Sequence, residues 1–291
     1  MLPDLFIIST ARSGSSAVYS YLNQIYNNQI TLKNKEPHFF LKLNKYKNRP
    51  SEIKKYYIDN KKKYLEIFKG DKLSIDASVG YFFEIDEFIK NVKKNFKKKK
   101  PKIIFLFREP NSRAKSLYLK KIITEKENSN SKFEKLLKKK YQKNSWWLNY
   151  YDNVYYYKNF LKLKDYFSNI LIIDYKQVKN INKKLGIIEN FLKKKVNKKN
   201  RKLKLKKLNQ SKVPFIFNIK SFYNFLNNDK KIYKIIKILK YYFNLLKFRK
   251  IFSEIYNIEM QDYLKISNKE FKYFINFIKK NKISTGVYRF K

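Results

Sequence analysis

No cysteine occurs among the 291 residues, which excludes disulfides, thiolate metal sites and a cysteine nucleophile. Histidine occurs once, at His38. No run of eighteen apolar residues is present, so no segment reads as a membrane-crossing helix. No leader-like segment precedes the first strand-like run, and a soluble cytoplasmic protein is the expectation. Acidic residues are few, 23 against 69 basic, and residues 193–207 contain none, which marks that stretch as a loop or boundary. No internal repeat is visible.

What is present is apolar and aromatic. Hydrophobic residues make up 43% and aromatics 18%, a globular composition, and a chain of 291 residues can bury about three quarters of its unfolded surface. The net charge of +46 has two readings. Lysine accounts for 62 of the basic residues and alanine for only four positions, in a chain crowded with Asn, Ile, Phe and Tyr. These residues share A/T-rich codons with lysine, so one reading is compositional bias spread over a solvated surface. The other is a basic face for a polyanion. Either raises the encounter rate with an anionic ligand.

Leu5–Ser9 is a short apolar run, followed by a small, polar turn over residues 10–16 and an amphipathic stretch over 17–26, with Val18, Tyr21, Leu22 and Ile25 at helical spacing. This is the first half of a βαβ unit. Further strands are expected at 103–107 and 170–173, and a weaker one at 73–76. Continuous apolar runs suit strands covered on both faces, so the fold expected is α/β with a mostly parallel sheet flanked by helices. The expected organisation is an α/β core over 1–215 and a helical C-terminal region over 216–291 packed on it. In that region 232–246 reads as a basic amphipathic helix, and Ser267 with Glu270 reads as a capping box before 271–278.

The turn Thr10-Ala11-Arg12-Ser13-Gly14-Ser15-Ser16 joins a strand to a helix, where backbone N–H groups and the helix dipole make an anion cradle. Gly14 lets backbone approach an anion closely, the serines add hydroxyls, and Arg12 adds a planar cation. A Walker A loop does not fit, because Ser9 and Ser15 stand where its first glycine and its lysine belong. An ordinary polar turn capping a helix remains the alternative. A second anion site is expected where the apolar strand stops at Arg108-Glu109-Pro110. Arg108 enters the crevice at the sheet's carboxyl edge, and Ser116 lies in the following helix with Ser112 and Arg113 on its face. The alternative is a structural pairing of Arg108 with Glu109 or Asp174. In Lys35-Glu36-Pro37-His38-Phe39-Phe40, both Glu36 and His38 can accept a proton and Lys35 can stabilise charge. A surface Lys35–Glu36 pair beside a packed His38 is the bland reading.

Taken in order, these segments resemble the sulfotransferase superfamily that uses 3′-phosphoadenosine 5′-phosphosulfate (PAPS). Arg12-Ser13-Gly14-Ser15-Ser16 is similar to its 5′-phosphosulfate loop in the arginine-bearing version common among carbohydrate sulfotransferases. The resemblance implies that Arg12 contacts the 5′-phosphate and that the N–H groups of Ser13, Gly14, Ser15, Ser16 and Ala17 hold the remaining oxygens. The segment from Lys102 to Tyr118 is similar to the 3′-phosphate motif, which implies Arg108 and Ser116 as its ligands. Residues 35–40 resemble a heparan-sulfate-type segment whose Glu acts as base, which implies Glu36 as base, Lys35 on the sulfuryl group and His38 in reserve, with no metal required. Asp76-Ala77-Ser78-Val79-Gly80-Tyr81 resembles a segment lining the acceptor cleft, although it also reads as a plain turn.

The likeness thins beyond Leu171-Ile172-Ile173-Asp174, where Tyr175 and Lys176 replace an acidic pair. Trp146, Trp147 and Tyr155 to Tyr157 read as core or acceptor-groove surface. Asn209 and Ser211 resemble a loop closing over the nucleotide. The implied partner is a glycan or other small-molecule acceptor, with no nucleic acid, and with peripheral membrane contact through 232–246 as an addition. The competing function is a non-enzymatic polyanion binder.

Overall fold

A computed structural model of the chain describes residues 1–28, 35–42, 57–97, 100–123, 154–203, 265–281 and 287–289. The boundary at 215, the stretch 232–246, the two tryptophans and Asn209 with Ser211 lie outside the described residues.

Five strands form one sheet: β1 Leu5–Ser9, β2 Ile75–Asp76, β3 Lys102–Phe107, β4 Asn169–Asp174 and β5 Val287–Arg289, in the order β2-β1-β3-β4-β5. The first four are parallel, and β5 runs antiparallel to β4. Strand β2 is shorter than the expected 73–76, and β5 was not expected in a helical C-terminal region. The apolar runs are continuous because side chains alternate between two buried faces. Ile103, Phe105 and Phe107 enter one core, whereas Ile104 and Leu106 enter the other.

The second of these cores is covered by helix α1, Ser15–Ile25, and part of the first by α2, Ile85–Asn95. Helix α3, Pro110–Ile123, follows β3, and α4, Tyr156–Tyr166, precedes β4. Helix α5, Leu185–Leu192, joins α1 on its face. Helix α6, Lys265–Lys280, packs on the α2 and α4 side, where Phe274 is fully buried among Phe105, Phe107, Tyr156 and Phe160. Burying a phenylalanine of this kind contributes about 1.5–3 kcal/mol.

Ser267 and Glu270, expected as a capping box before 271–278, lie inside a helix that already begins at Lys265. Instead Ser267 Oγ accepts the Val154 N–H at 3.1 Å, and Glu270 Oε2 accepts the Lys158 N–H at 3.0 Å. Glu270 thus caps the first turn of α4 from outside, and Ser267 holds the residue just before its N-cap, Tyr155, which supplies no side-chain cap bond. Among the described residues no helix is long and apolar enough to cross a membrane.

Candidate active site

The strand order creates the site. From β1 the chain moves to β2 on one side, and from β3 it moves to β4 on the other. The crevice at the carboxyl ends of β1 and β3 is therefore the topological switch point, where open α/β sheets bind ligands. The loop carrying Arg12 leaves β1 there, and Arg108 follows the last residue of β3.

The loop owes its shape to two left-handed residues, Arg12 at φ 69° and Gly14 at φ 93°. Gly14 is the N-cap of α1 and brings no side-chain cap, and the first turn holds no acidic residue. A Cβ at Gly14 would sit 3.2 Å from Tyr175 Cδ2 and 3.3 Å from Val178 Cγ2, so backbone conformation and packing both select glycine. The N–H of Ser13 returns to the Thr10 carbonyl at 3.3 Å and that of Ala17 to the Gly14 carbonyl at 3.0 Å. Of the five N–H groups expected to meet an anion, those of Ser13 and Ala17 are engaged by the loop's own carbonyls. Inside the loop, Ser13 Oγ and Thr10 Oγ1 share a hydrogen bond of 2.6 Å, and both residues are fully buried.

Arg12 and Arg108 share one crevice. Arg108 Nη1 donates to the Arg12 carbonyl at 2.8 Å, and Arg12 Nε donates to Ser116 Oγ at 3.0 Å. Arg108 Nε donates to Ser112 Oγ at 3.0 Å, and its guanidinium lies 4.0 Å from the Tyr175 ring centroid. The alternative pairings with Glu109 or Asp174 are not what these two carboxylates do. Glu109 accepts the N–H groups of Asn111 and Ser112 at 2.7 Å each, capping α3, and Asp174 accepts the Lys176 N–H at 2.8 Å. Burial lowers the pKa of both arginines, and for Arg12 the neighbouring Arg108 lowers it further. Two guanidiniums so close, half-buried, make a strongly electropositive pocket.

Tyr156 ties the two loops together. Its hydroxyl accepts the Arg108 N–H at 3.3 Å and is hydrogen-bonded to Thr10 Oγ1 at 3.1 Å. Sequence reasoning read Tyr155 to Tyr157 only as core or acceptor-groove surface and gave Tyr175 no role at this corner, because two tyrosines in a chain with 25 carry no signal of their own. The displaced acidic pair after β4 was the only hint of Tyr175.

Residues 35–38 reach the same sheet edge beside β2. The Ala77 N–H donates to the Lys35 carbonyl at 3.1 Å, and Lys35 Nζ donates to the Ala77 carbonyl at 3.3 Å. Lys35 Nζ also pairs with Glu36 Oε1, and His38 Nε2 stands 3.6 Å from Glu36 Oε2. The pair is only partly at the surface: Lys35 is 4% exposed and His38 1%, whereas the Glu36 side chain is 30% exposed. His38 does pack beside an aromatic, Tyr81, with ring centroids 6.2 Å apart. Burial pushes the Glu36 carboxyl up, but Lys35 and His38 outweigh it and hold the group down at about 2. His38, like Arg12, has a left-handed backbone, φ 52°. Such strain in a residue other than glycine costs on the order of 1–3 kcal/mol and persists where the surroundings over-determine it.

Asp76 is not in a plain turn. It is fully buried, and it receives Ser78 N–H and Oγ–H on Oδ1 at 3.1 and 2.7 Å and the hydroxyls of Tyr64 and Tyr81 on Oδ2, both at 2.8 Å.

Comparison with known proteins agrees with this architecture. A sulfotransferase from Alicyclobacillus acidocaldarius aligns with a TM-score of 0.58 at 19% identity, over 77% of this chain and 92% of its own, and shows the shared fold. A mouse sulfotransferase complexed with PAP has a TM-score of 0.43 at 20% identity, covering 68% of this chain and 61% of its own. The sulfotransferase domain from the curacin biosynthetic pathway has a TM-score of 0.41 at 14% identity, covering 69% and 77%. No curated protein sequence matches the chain. The sulfotransferase domain family matches residues 2–218, well over half of the chain, and the chain therefore belongs to that family of sulfuryl-transferring enzymes.

Proposed function

We propose that the enzyme takes its sulfuryl group from PAPS and passes it to a hydroxyl or amine of a carbohydrate acceptor. One observation carries the reading of the donor: the 2.8 Å bond from Arg108 to the Arg12 carbonyl, which puts two anion-binding corners in one crevice. A nucleotide phosphorylated at both ends needs two such corners. The donor set fits, with two guanidiniums, two serine hydroxyls and the N–H groups of Gly14, Ser15 and Ser16 at the start of α1. Arg12 and these N–H groups would hold the 5′ end, and Arg108 with Ser116 the 3′-phosphate.

The donor supplies a sulfuryl group already activated on a phosphosulfate bridge. The chain supplies placement and charge. Arg12 and the helix N-terminus stabilise the 5′-phosphate as it leaves with the bridging oxygen's electrons. Preorganised donors of this kind are each worth about 3–4 kcal/mol. Glu36 takes the proton that the acceptor releases as the new bond to sulfur forms. Its low pKa keeps it ionised at neutral pH, the form a base requires, yet also makes it weak while Lys35 lies against it. A Lys35 ammonium shared with sulfonate oxygens would pull less on Glu36, and the carboxylate would become more basic. The Lys35, Glu36 and His38 constellation, similar to the heparan-sulfate-type segment, supports a sugar acceptor.

The deciding measurement is thermal denaturation with adenosine 3′,5′-bisphosphate, ATP and AMP in parallel. The bisphosphate at about a hundred times its Kd should stabilise by about 2.7 kcal/mol. Arg12→Ala and Arg108→Ala should each abolish that shift and cut turnover about a hundredfold or more. Equal stabilisation by ATP would falsify the donor assignment.

A further inference from the structure

Building on the reading of Glu36 as base, we propose that Asp76 is a positioning residue for it, anchoring residues 35–38 through the Ser78 hydroxyl. The argument is one of proton direction. All four bonds to the Asp76 carboxylate come from donors: Ser78 N–H and O–H on one oxygen, Tyr64 and Tyr81 O–H on the other. A serine hydroxyl has a single proton. Because Ser78 spends it on Asp76, its lone pairs are turned to the other side, where Ser78 Oγ accepts the His38 N–H at 3.0 Å.

That bond falls on the residue with the left-handed backbone, two positions after the base. The clamp is completed at the other end of the segment by the paired bonds between Lys35 and Ala77, and Tyr81, a donor to Asp76, also lies 3.4 Å from the Phe40 N–H through its hydroxyl. Ser78 and Ala77 directly follow β2, which pairs with β1 at Phe6↔Asp76. The anchor thus refers the 35–38 segment to the strand that carries the Arg12 loop. Tyr64 and Tyr81 fix Asp76 from the side of the aromatic core. An amide is a poor replacement for this carboxylate, since its NH2 group would face the Ser78 N–H at one end or force both tyrosine hydroxyls to reverse their bonds at the other.

The single histidine gives a readout that needs no acceptor. In the full-length chain labelled with 15N at histidine, the His38 ring signals are unambiguous. Ser78→Ala and Asp76→Asn should shift or broaden them, leave the Kd for adenosine 3′,5′-bisphosphate within about twofold, and lower the rate of transfer to desulfated heparin at least tenfold. If Asp76→Asn does not fold, Ser78→Ala carries the test, because it keeps the carboxylate and both tyrosine bonds. Unchanged His38 signals, or bisphosphate affinity falling in step with the rate, would overturn the anchor. In a Glu36→Gln background the Ser78→Ala change should cost nothing further in rate, and an undiminished loss there would also overturn it. Should Glu36→Gln alone retain the parental rate, the base assignment falls by itself, while the His38 signals still report whether Ser78 holds the segment.

Discussion

The loop over residues 10–16 and the segment over residues 35–38 reach the same sheet edge, but they are held there differently. The loop takes its turn from its own backbone, two left-handed residues and the N–H of Ser13 returning to Thr10, and Tyr156 and Arg108 bond to it from outside. The 35–38 segment is shaped by partners about forty positions away, Ala77 and Ser78, which in turn depend on a buried carboxylate. A loop held by local geometry should respond to a change at one position in proportion to that change. A segment hung on a side-chain network should lose its geometry when any link is cut.

Three changes sharpen that contrast. Gly14→Ala should have the largest effect. The left-handed backbone costs about 1–2 kcal/mol for a residue with a Cβ, and crowding against Tyr175 and Val178 adds about 1–3 kcal/mol. Thermal denaturation should show a fall of several degrees and calorimetry a matching loss of bisphosphate affinity. A parental Tm would mean that the loop is not held as described.

Tyr156→Phe should be milder. It removes the hydroxyl that joins Thr10 to the Arg108 N–H, leaving the rings of Phe271 and Phe274 to hold the aromatic body in place. About 0.5–1.5 kcal/mol of stability is expected to go, together with a few-fold rise in the KM for PAPS and little change in the His38 signals.

The smallest effect concerns pH. The Glu36 carboxyl is depressed from 4.5 to about 2, so its pairing with Lys35 stabilises the fold fully above the ordinary carboxylate range and is lost as pH falls toward 2. The stability difference between the parent and Glu36→Gln should be flat above about pH 5 and shrink between about 4.5 and 2. A difference that instead changes near neutrality would place the titration on another group.

Much of the fold was legible because parallel strands buried on two faces are continuous apolar runs, and β1, β3 and β4 are such runs. β5 was not, since Val287, Tyr288 and Arg289 lie in a stretch whose pairing with β4 is set by tertiary contacts. The Ser267 and Glu270 spacing was read as a capping signature, yet Glu270 caps α4 and Ser267 holds Val154 just before it. Local pattern shows that a side chain can cap, and packing decides which helix it caps. Asp76 followed by Ser78 looked like a turn for the same reason. The pattern does not carry the burial that brings Tyr64 and Tyr81 onto the carboxylate.

The order of residues alone determined the strand–loop–helix carrying Arg12, the strand ending at Arg108 and the chemistry available at residues 35–38, because each is a property of a short contiguous stretch. Only the tertiary structure decided that Arg108 reaches the Arg12 carbonyl, that Tyr156 and Tyr175 complete that corner, and that a buried Asp76 stands behind the Glu36 segment. Those relations depend on strand order and on groups far apart in the chain meeting where water is excluded, which no local spacing encodes.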